Sequence, residues 1–162
     1  MSEIEAIVRF GLEAIETLDP NVAIGASQPQ ITHRNFVNYL RLNGVSVPPV
    51  TALVMSRVIF LSGQATISLL QAPMVGGPQS VHGKRLVYGY FANPATNNPV
   101  TVRGQSINGY WPFGSPVQFP MQPGWKIGAF FDDTHPVASA SNNTILFVGT
   151  DGQTLDVAML FG

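Results

Sequence analysis

Along residues 2–18, apolar side chains recur at three- and four-residue spacing: Ile4, Ile7, Val8, Leu12, Ile15 and Leu18. That spacing predicts an amphipathic α-helix with one apolar stripe. Ser2, followed three residues later by Glu5, fits a capping box, and Asp19-Pro20 is a stop signal. Such a helix either packs on its own domain or acts as an arm that docks on a neighbouring subunit. Residues 21–31 are small and polar, with Pro29, and read as a linker. A second short helix is predicted over residues 32–43, with Thr32 as N-cap, Phe36, Tyr39 and Leu40 on one face and Gly44 as its stop. His33, Arg34 and Arg41 fall on its wet side. Residues 45–50 carry Pro48-Pro49 and are a linker or an extended edge, because proline is excluded from a helix interior.

From about residue 52 the pattern changes to strands. Residues 52–61 and 65–71 are rich in β-branched side chains and are joined by Ser62-Gly63-Gln64, a hairpin signal. Further strands are predicted at residues 85–91, 100–102, 117–119, 125–131, 136–139, 144–148 and 155–161. Asp151-Gly152 marks a tight turn between the last two. About eight or nine short strands at turn spacings near ten residues predict a mainly β fold, an antiparallel β-sandwich or jelly roll of about eight strands preceded by one or two N-terminal helices. The division expected is an N-terminal helical arm and linker over residues 1–50 and a β-sandwich domain over residues 51–162.

Charge sharpens this picture. Only 17 of the 162 residues are charged, where a soluble domain averages about a quarter. The first nineteen hold five acids against Arg9, a net −4; the rest of the chain is net +3. A body so poor in charge reads as one whose surface is largely covered by other protein. The overall net charge of −1 and scattered Lys/Arg leave no nucleic-acid footprint. The 16 Gly and 13 Pro lack a period and signal turns. The absence of cysteine excludes disulfides, thiolate zinc sites and thiol catalysis. No secretory signal or membrane span is expected, since the greasiest run, residues 52–61, is short and contains Arg57.

Candidate chemistry is sparse. His33, His82 and His135 lie far apart and fit no metal-ligand spacing. No nucleophile elbow, Walker loop or GxGxxG occurs. Asp132-Asp133-Thr134-His135 offers two carboxylates and an imidazole for a cation or for acid–base work; the plainer reading is a solvated turn. Asp151 and Asp156 sit in or beside the last hairpin. Tyr110, Trp111 and Phe113 form an aromatic loop suited to core packing, a subunit interface or stacking on sugar rings. Asn142-Asn143-Thr144 matches a glycosylation sequon, a motif common by chance.

Residues 84–161 have a recognisable rhythm. "RLVYGYFANPATNNPVTVRGQ" is a strand, an Asn/Pro loop and an alternating strand; "PMQPGWKIGAFF" is a Pro-Gly turn entering an aromatic strand; "NNTILFVGTDGQTLDVAMLFG" is two strands about a T-D-G turn. This resembles bacteriophage virion structural proteins, the small β-sandwich capsid decoration, cement or minor capsid type. The resemblance implies a place on or between major capsid subunits, often as a trimer, with a terminal arm reaching a neighbour. It brings no catalytic residues.

The expected function is therefore a structural virion protein that stabilises a shell through subunit contacts, with no enzymatic activity, no cofactor and no metal. Its expected partners are copies of itself, a trimer favoured, and other capsid proteins; its place is the virion, assembled in the host cytoplasm. The interface residues expected are Ile4, Ile7, Val8, Leu12, Ile15, Tyr110, Trp111 and Phe113. The alternative is a carbohydrate-binding module of a phage tail or receptor-recognition protein, with Trp111 and Tyr110 stacking on sugar. A third is a small enzyme using Asp132, Asp133 and His135.

Overall fold

A computed structural model describes residues 5–17, 30–74, 77–132 and 134–162. The described residues are mainly strand and contain no helix. The strands are β1 (Glu5–Thr17), β2 (Gln30–Asn43), β3 (Ala52–Ile59), β4 (Gln64–Ser68), β5 (Leu86–Ala92), β6 (Val100–Gly104), β7 (Phe119–Met121), β8 (Lys126–Phe130), β9 (Thr144–Val148) and β10 (Thr154–Phe161). They form three antiparallel sheets: the ribbon β1-β2, sheet B in the order β3-β10-β5-β8, and sheet C in the order β4-β9-β6-β7.

The N-terminal helices expected from the sequence are replaced by the ribbon. Its ladder runs from Glu5 opposite Asn43 to Thr17 opposite Gln30. The stripe that fits a helix period also carries period two: Ala6, Val8, Phe10 and Leu12 alternate with Ile7, Arg9 and Gly11. Residues 31–39 supply the matching strand with Ile31, Thr32, Phe36, Val37 and Tyr39, types that favour a pleated surface. Pairing between segments about thirty residues apart decides the outcome, and local spacing cannot register it. Ile4, Leu18, the Ser2 cap and Asp19-Pro20 lie outside the described residues. So does the linker predicted at residues 21–31, except Gln30 and Ile31, which are in β2.

The eight remaining strands pair in a nested order: β3 with β10, β4 with β9, β5 with β8, β6 with β7. Successive pairs alternate between the sheets, so one long double strand folds back and forth. At the first corner the ladder continues without a break. Phe60 N–H donates to Gln153 O (2.9 Å), Gly152 N–H to Phe60 O (2.9 Å), and Gly149 N–H to Gly63 O (2.9 Å). Ser62 and Gly63 both take positive φ (52° and 77°), the conformation of a two-residue hairpin turn. The hairpin signal at residues 62–64 thus marks a true turn, closed by the Leu61–Gln64 bridge, but β3 and β4 go to different sheets. The same holds for Asp151-Gly152 between β9 and β10.

The second corner is held by Asn93, which is 1% exposed. Its backbone exchanges hydrogen bonds with Trp125 O and Gly124 N–H, and its amide donates to Asn98 O and Met121 O (3.1 Å each). Asn97 donates to Asn93 Oδ1 (2.8 Å) and to Thr154 O (2.6 Å), tying the two corners together.

One core lies between the sheets. In β10, Leu155, Val157, Met159 and Phe161 face it; Val100 and Val102 of β6 and Ile145 and Phe147 of β9 face it from sheet C. A one-residue slip of β10 would turn that row outward, so burial fixes the register. A second cluster sits on the outer face of sheet B, where Val8, Leu42 and Val50 pack against Val87 and Leu160. The register there skips Val87, since Leu160 faces Tyr88 while Phe161 faces Leu86, a bulge that frees Val87 for this cluster. The strand expected at residues 136–139 is reduced to two isolated bridges, Val137 with Arg85 and Ser139 with Asn142.

Candidate functional site

The aromatic loop is a plug rather than a platform. Tyr110 is fully buried; its hydroxyl donates to Pro136 O (2.9 Å) and accepts from Leu86 N–H (3.2 Å). Burial raises the Tyr110 phenol above its ordinary pKa. Phe113 is half-buried, its ring 4.6 Å from Phe119 and 5.6 Å from Phe91. Trp111 is half-buried against Gly104: a Cβ at Gly104 would lie 2.5 Å from the indole. Tyr110 is therefore packed into the sandwich, and Phe113 lies half-buried against it.

The acidic motif is likewise a turn. Asp132 Oδ1 accepts from Thr134 N–H (3.0 Å) and Thr134 Oγ1 (2.5 Å), and these bonds hold its carboxyl below the usual range. Asp133 lies outside the described residues. His135 is half-buried, its ring 4.6 Å from the Phe131 ring and 5.6 Å from Tyr110. Its Nε2 is buried without a hydrogen-bond partner, and burial lowers the imidazole pKa. Among the described residues no group of three or more His, Asp or Glu converges as a metal site. Asp151 accepts from Ser62 N–H (2.7 Å) across the first corner. Asp156 takes a two-pronged contact from Arg57 (2.6 and 3.0 Å), and each partner favours the other's charged form. In the sequon, Asn142 donates to Val137 O and Asn143 is buried.

What the fold leaves open is the outer face of sheet B. Three rows cross its four strands in register: Leu53–Leu160–Tyr88–Phe130, Met55–Ala158–Tyr90–Gly128, and Arg57–Asp156–Ala92–Lys126. The foot of the ribbon covers the β3–β10 end of the first row. Beyond it, Met55 is 62% exposed and Phe130 42%, with Tyr90 half-buried between them. Tyr88 leans across β8, its ring 4.9 Å from Phe130 and its hydroxyl where a Cβ on Gly128 would stand. At the charged end of the face, Asn93, Pro94, Ala95, Gly124, Lys126 and Asp156 line an open depression of about 470 Å³. Trp125, 47% exposed, lies in the chain between the lining residues Gly124 and Lys126.

Of the expected interface residues, Ile7 is exposed on the ribbon, Val8 is buried in its foot, and Leu12 and Ile15 are placed in β1 by register opposite Phe36 and Thr32. Sequence reasoning missed Trp125, Phe130, Met55 and Tyr90. A signal existed in Pro123-Gly124 entering an alternating strand, but only the position of β8 at a sheet edge makes that alternation an exposed one. Comparison of the chain with protein-family models, with curated proteins and with solved structures finds no match.

Proposed function

We propose that this chain is a structural assembly protein, a capsid decoration, cement or minor capsid component of a bacteriophage virion. The observation that carries the reading is the outer face of sheet B. An apolar band through Met55, Tyr90 and Phe130 continues from the seat of the ribbon and ends in the open. The ribbon supports it as well. A two-stranded ribbon is marginal in water by itself, and among the described residues β1 and β2 pair only with each other. The nested strand order, first with last and inward, supports the finer reading of the body as a jelly roll, an architecture shared by capsid proteins and lectins. Subunits bury the band and the ribbon against copies of the chain, a trimer favoured, and against other shell proteins in a virion assembled in the host cytoplasm. Light scattering of the purified chain, with particle co-sedimentation, tests this: wild type associates, and Met55→Asp and Ile7→Asp weaken association while the body stays folded. A wild-type monomer that binds no particle overturns it.

A second reading, a carbohydrate-binding module, draws on one observation: Trp125 is exposed and lies in the chain between Gly124 and Lys126, two residues that line the depression. Glycan-array binding lost in Trp125→Ala and retained in Trp111→Ala would favour it over assembly.

A further inference from the structure

The sequence contains two Asn-Gly pairs, Asn43-Gly44 and Asn108-Gly109. In such a pair the glycine nitrogen can close on the asparagine side chain, because no Cβ stands beside it. The fold holds the two pairs differently. Asn108 takes φ 55°, and its carbonyl accepts from Asn143 N–H (2.8 Å) and Thr144 N–H (3.0 Å). A Cβ on Gly109 would overlap Gln105 O. That peptide is bolted to the start of β9 on one side and packed against Gln105 on the other.

Asn43 ends β2 and opens the turn that leads to Val50. Its Oδ1 accepts from Val45 N–H (3.0 Å), an Asx turn that folds the amide back over the Gly44 peptide. Gly44 is exposed, and beyond its chain neighbours no atom lies within 4 Å of where a Cβ would stand. Among the described residues the Gly44 N–H has no acceptor. Electrophile and nucleophile are thus side by side, with room to move. The Val45 N–H is placed to hold the negative charge that develops on Oδ1 when Cγ is attacked.

We infer that Asn43 is a self-modifying residue whose conversion unseats the ribbon. The Gly44 nitrogen forms a bond to Asn43 Cγ, the Cγ–Nδ2 bond breaks, and the Gly44 proton leaves with Nδ2 as ammonia. Water then adds across either ring C–N bond of the cyclic imide, hydroxyl to carbon and proton to nitrogen. No oxidant or reductant takes part. The products are aspartate in its ordinary linkage and an iso-linked aspartate, whose main chain runs through Cβ and Cγ. The iso-linkage lengthens the chain and takes the former main-chain carbonyl off its path. That carbonyl is the acceptor for Val50 N–H (2.7 Å), Ser46 N–H (3.3 Å) and the Ser46 hydroxyl (2.8 Å). Val50, with Val8 and Leu42, is what seats the ribbon on Val87 and Leu160. Modification at position 43 therefore slackens this seat and loosens the ribbon from sheet B.

The test ages the full chain in warm, mildly alkaline buffer. Peptide mass spectrometry follows amide-to-acid conversion at both Asn-Gly pairs, and an isoaspartyl methyltransferase labels the iso-linked product. A single oxyanion donor is worth about a hundredfold in a built active site and less at an exposed turn, so Asn43 should convert at least about tenfold faster than Asn108. Gly44→Ala fits the open space, and the φ of Gly44 lies outside the left-handed region, so this variant keeps the fold. It should lose most of the conversion at position 43. Hydrogen exchange at the Val50 amide should be faster in the aged wild type than in fresh protein, and unchanged in aged Gly44→Ala. Conversion at Asn108 as fast as at Asn43, or a wild-type rate in Gly44→Ala, overturns the site. Iso-linked product with unchanged exchange at Val50 overturns the loosening of the ribbon.

Discussion

Replacing Tyr110 with Phe separates the two roles that an aromatic in this loop can have. The substitution keeps the ring, which is fully buried, and removes only the hydroxyl. Two groups then lose their partner: the carbonyl of Pro136, bonded at 2.9 Å, and the amide of Leu86, bonded at 3.2 Å. An unsatisfied buried group costs about 1–3 kcal/mol; the Leu86 amide is buried but its bond is long, and Pro136 is exposed so its carbonyl regains water in part, which sets the expected loss at about 2 kcal/mol. For a chain of this length that is a fall in Tm of about 4–8 °C. Urea unfolding followed by tryptophan fluorescence measures it, with an unchanged m-value as the sign that the unfolded state is unaffected. The hydroxyl also gives stability a pH limit. Its folded pKa is raised, so its contribution is complete below the unfolded value near 10 and declines as pH rises beyond it. That alkaline component should be missing in Tyr110→Phe. A stability loss under about 0.5 kcal/mol, accompanied by weakened self-association, would refute the packing argument and restore Tyr110 to a contact surface.

Asn93→Ala removes an amide that holds three bonds in a buried corner, and a destabilisation of about 2–4 kcal/mol is expected from chemical denaturation. Its effect should be nearly lost when measured on top of Asn97→Ala only if the corner depends on that single link, which a double-mutant cycle resolves. Gly104→Ala sets a methyl where the Trp111 ring lies, so a loss of about 1–3 kcal/mol and a red-shifted Trp emission are expected; wild-type emission would show that the indole does not sit there.

The β-body was legible because its signals are local. Residues 144–148 and 155–161 are short, mostly apolar runs of strand-favouring length, and Asp151-Gly152 between them has the chemistry of a turn. What remained illegible is what the turns connect. Ser62-Gly63 has the chemistry of a hairpin whether its strands share a sheet or part at a corner, and the difference lies in β9 and β10, about ninety residues away. The N-terminal segment failed for the same reason, since Ala6, Val8 and Leu12 satisfy either period until β2 is beside them. Among candidate site residues, aromatic type was a poor guide to exposure. Tyr110 turned inward, where its hydroxyl bonds Pro136 O, while Phe130 stands on the outer face of sheet B, in the row that the ribbon's foot covers at its β3–β10 end.

Exposed ion pairs add little to stability, and that fact distinguishes two kinds of assembly. Among the described residues the ion pairs are Glu5–Arg41 and Arg57–Asp156, both well exposed, a class whose contribution to stability is small. Near-zero net charge also leaves little mutual repulsion between copies. If association runs through Met55, Tyr90 and Phe130, screening should not oppose it. The Debye length shrinks from about 10 Å at 0.1 M salt to about 3 Å at 1 M, which removes long-range charge attraction and leaves apolar burial intact. Sedimentation velocity across that range should then show association unchanged, and strengthened by sulfate, which favours burial. Dissociation at high salt would instead assign the contact to the acidic first nineteen residues meeting the weakly basic remainder, and would move the interface from the face of sheet B to the ribbon's charge.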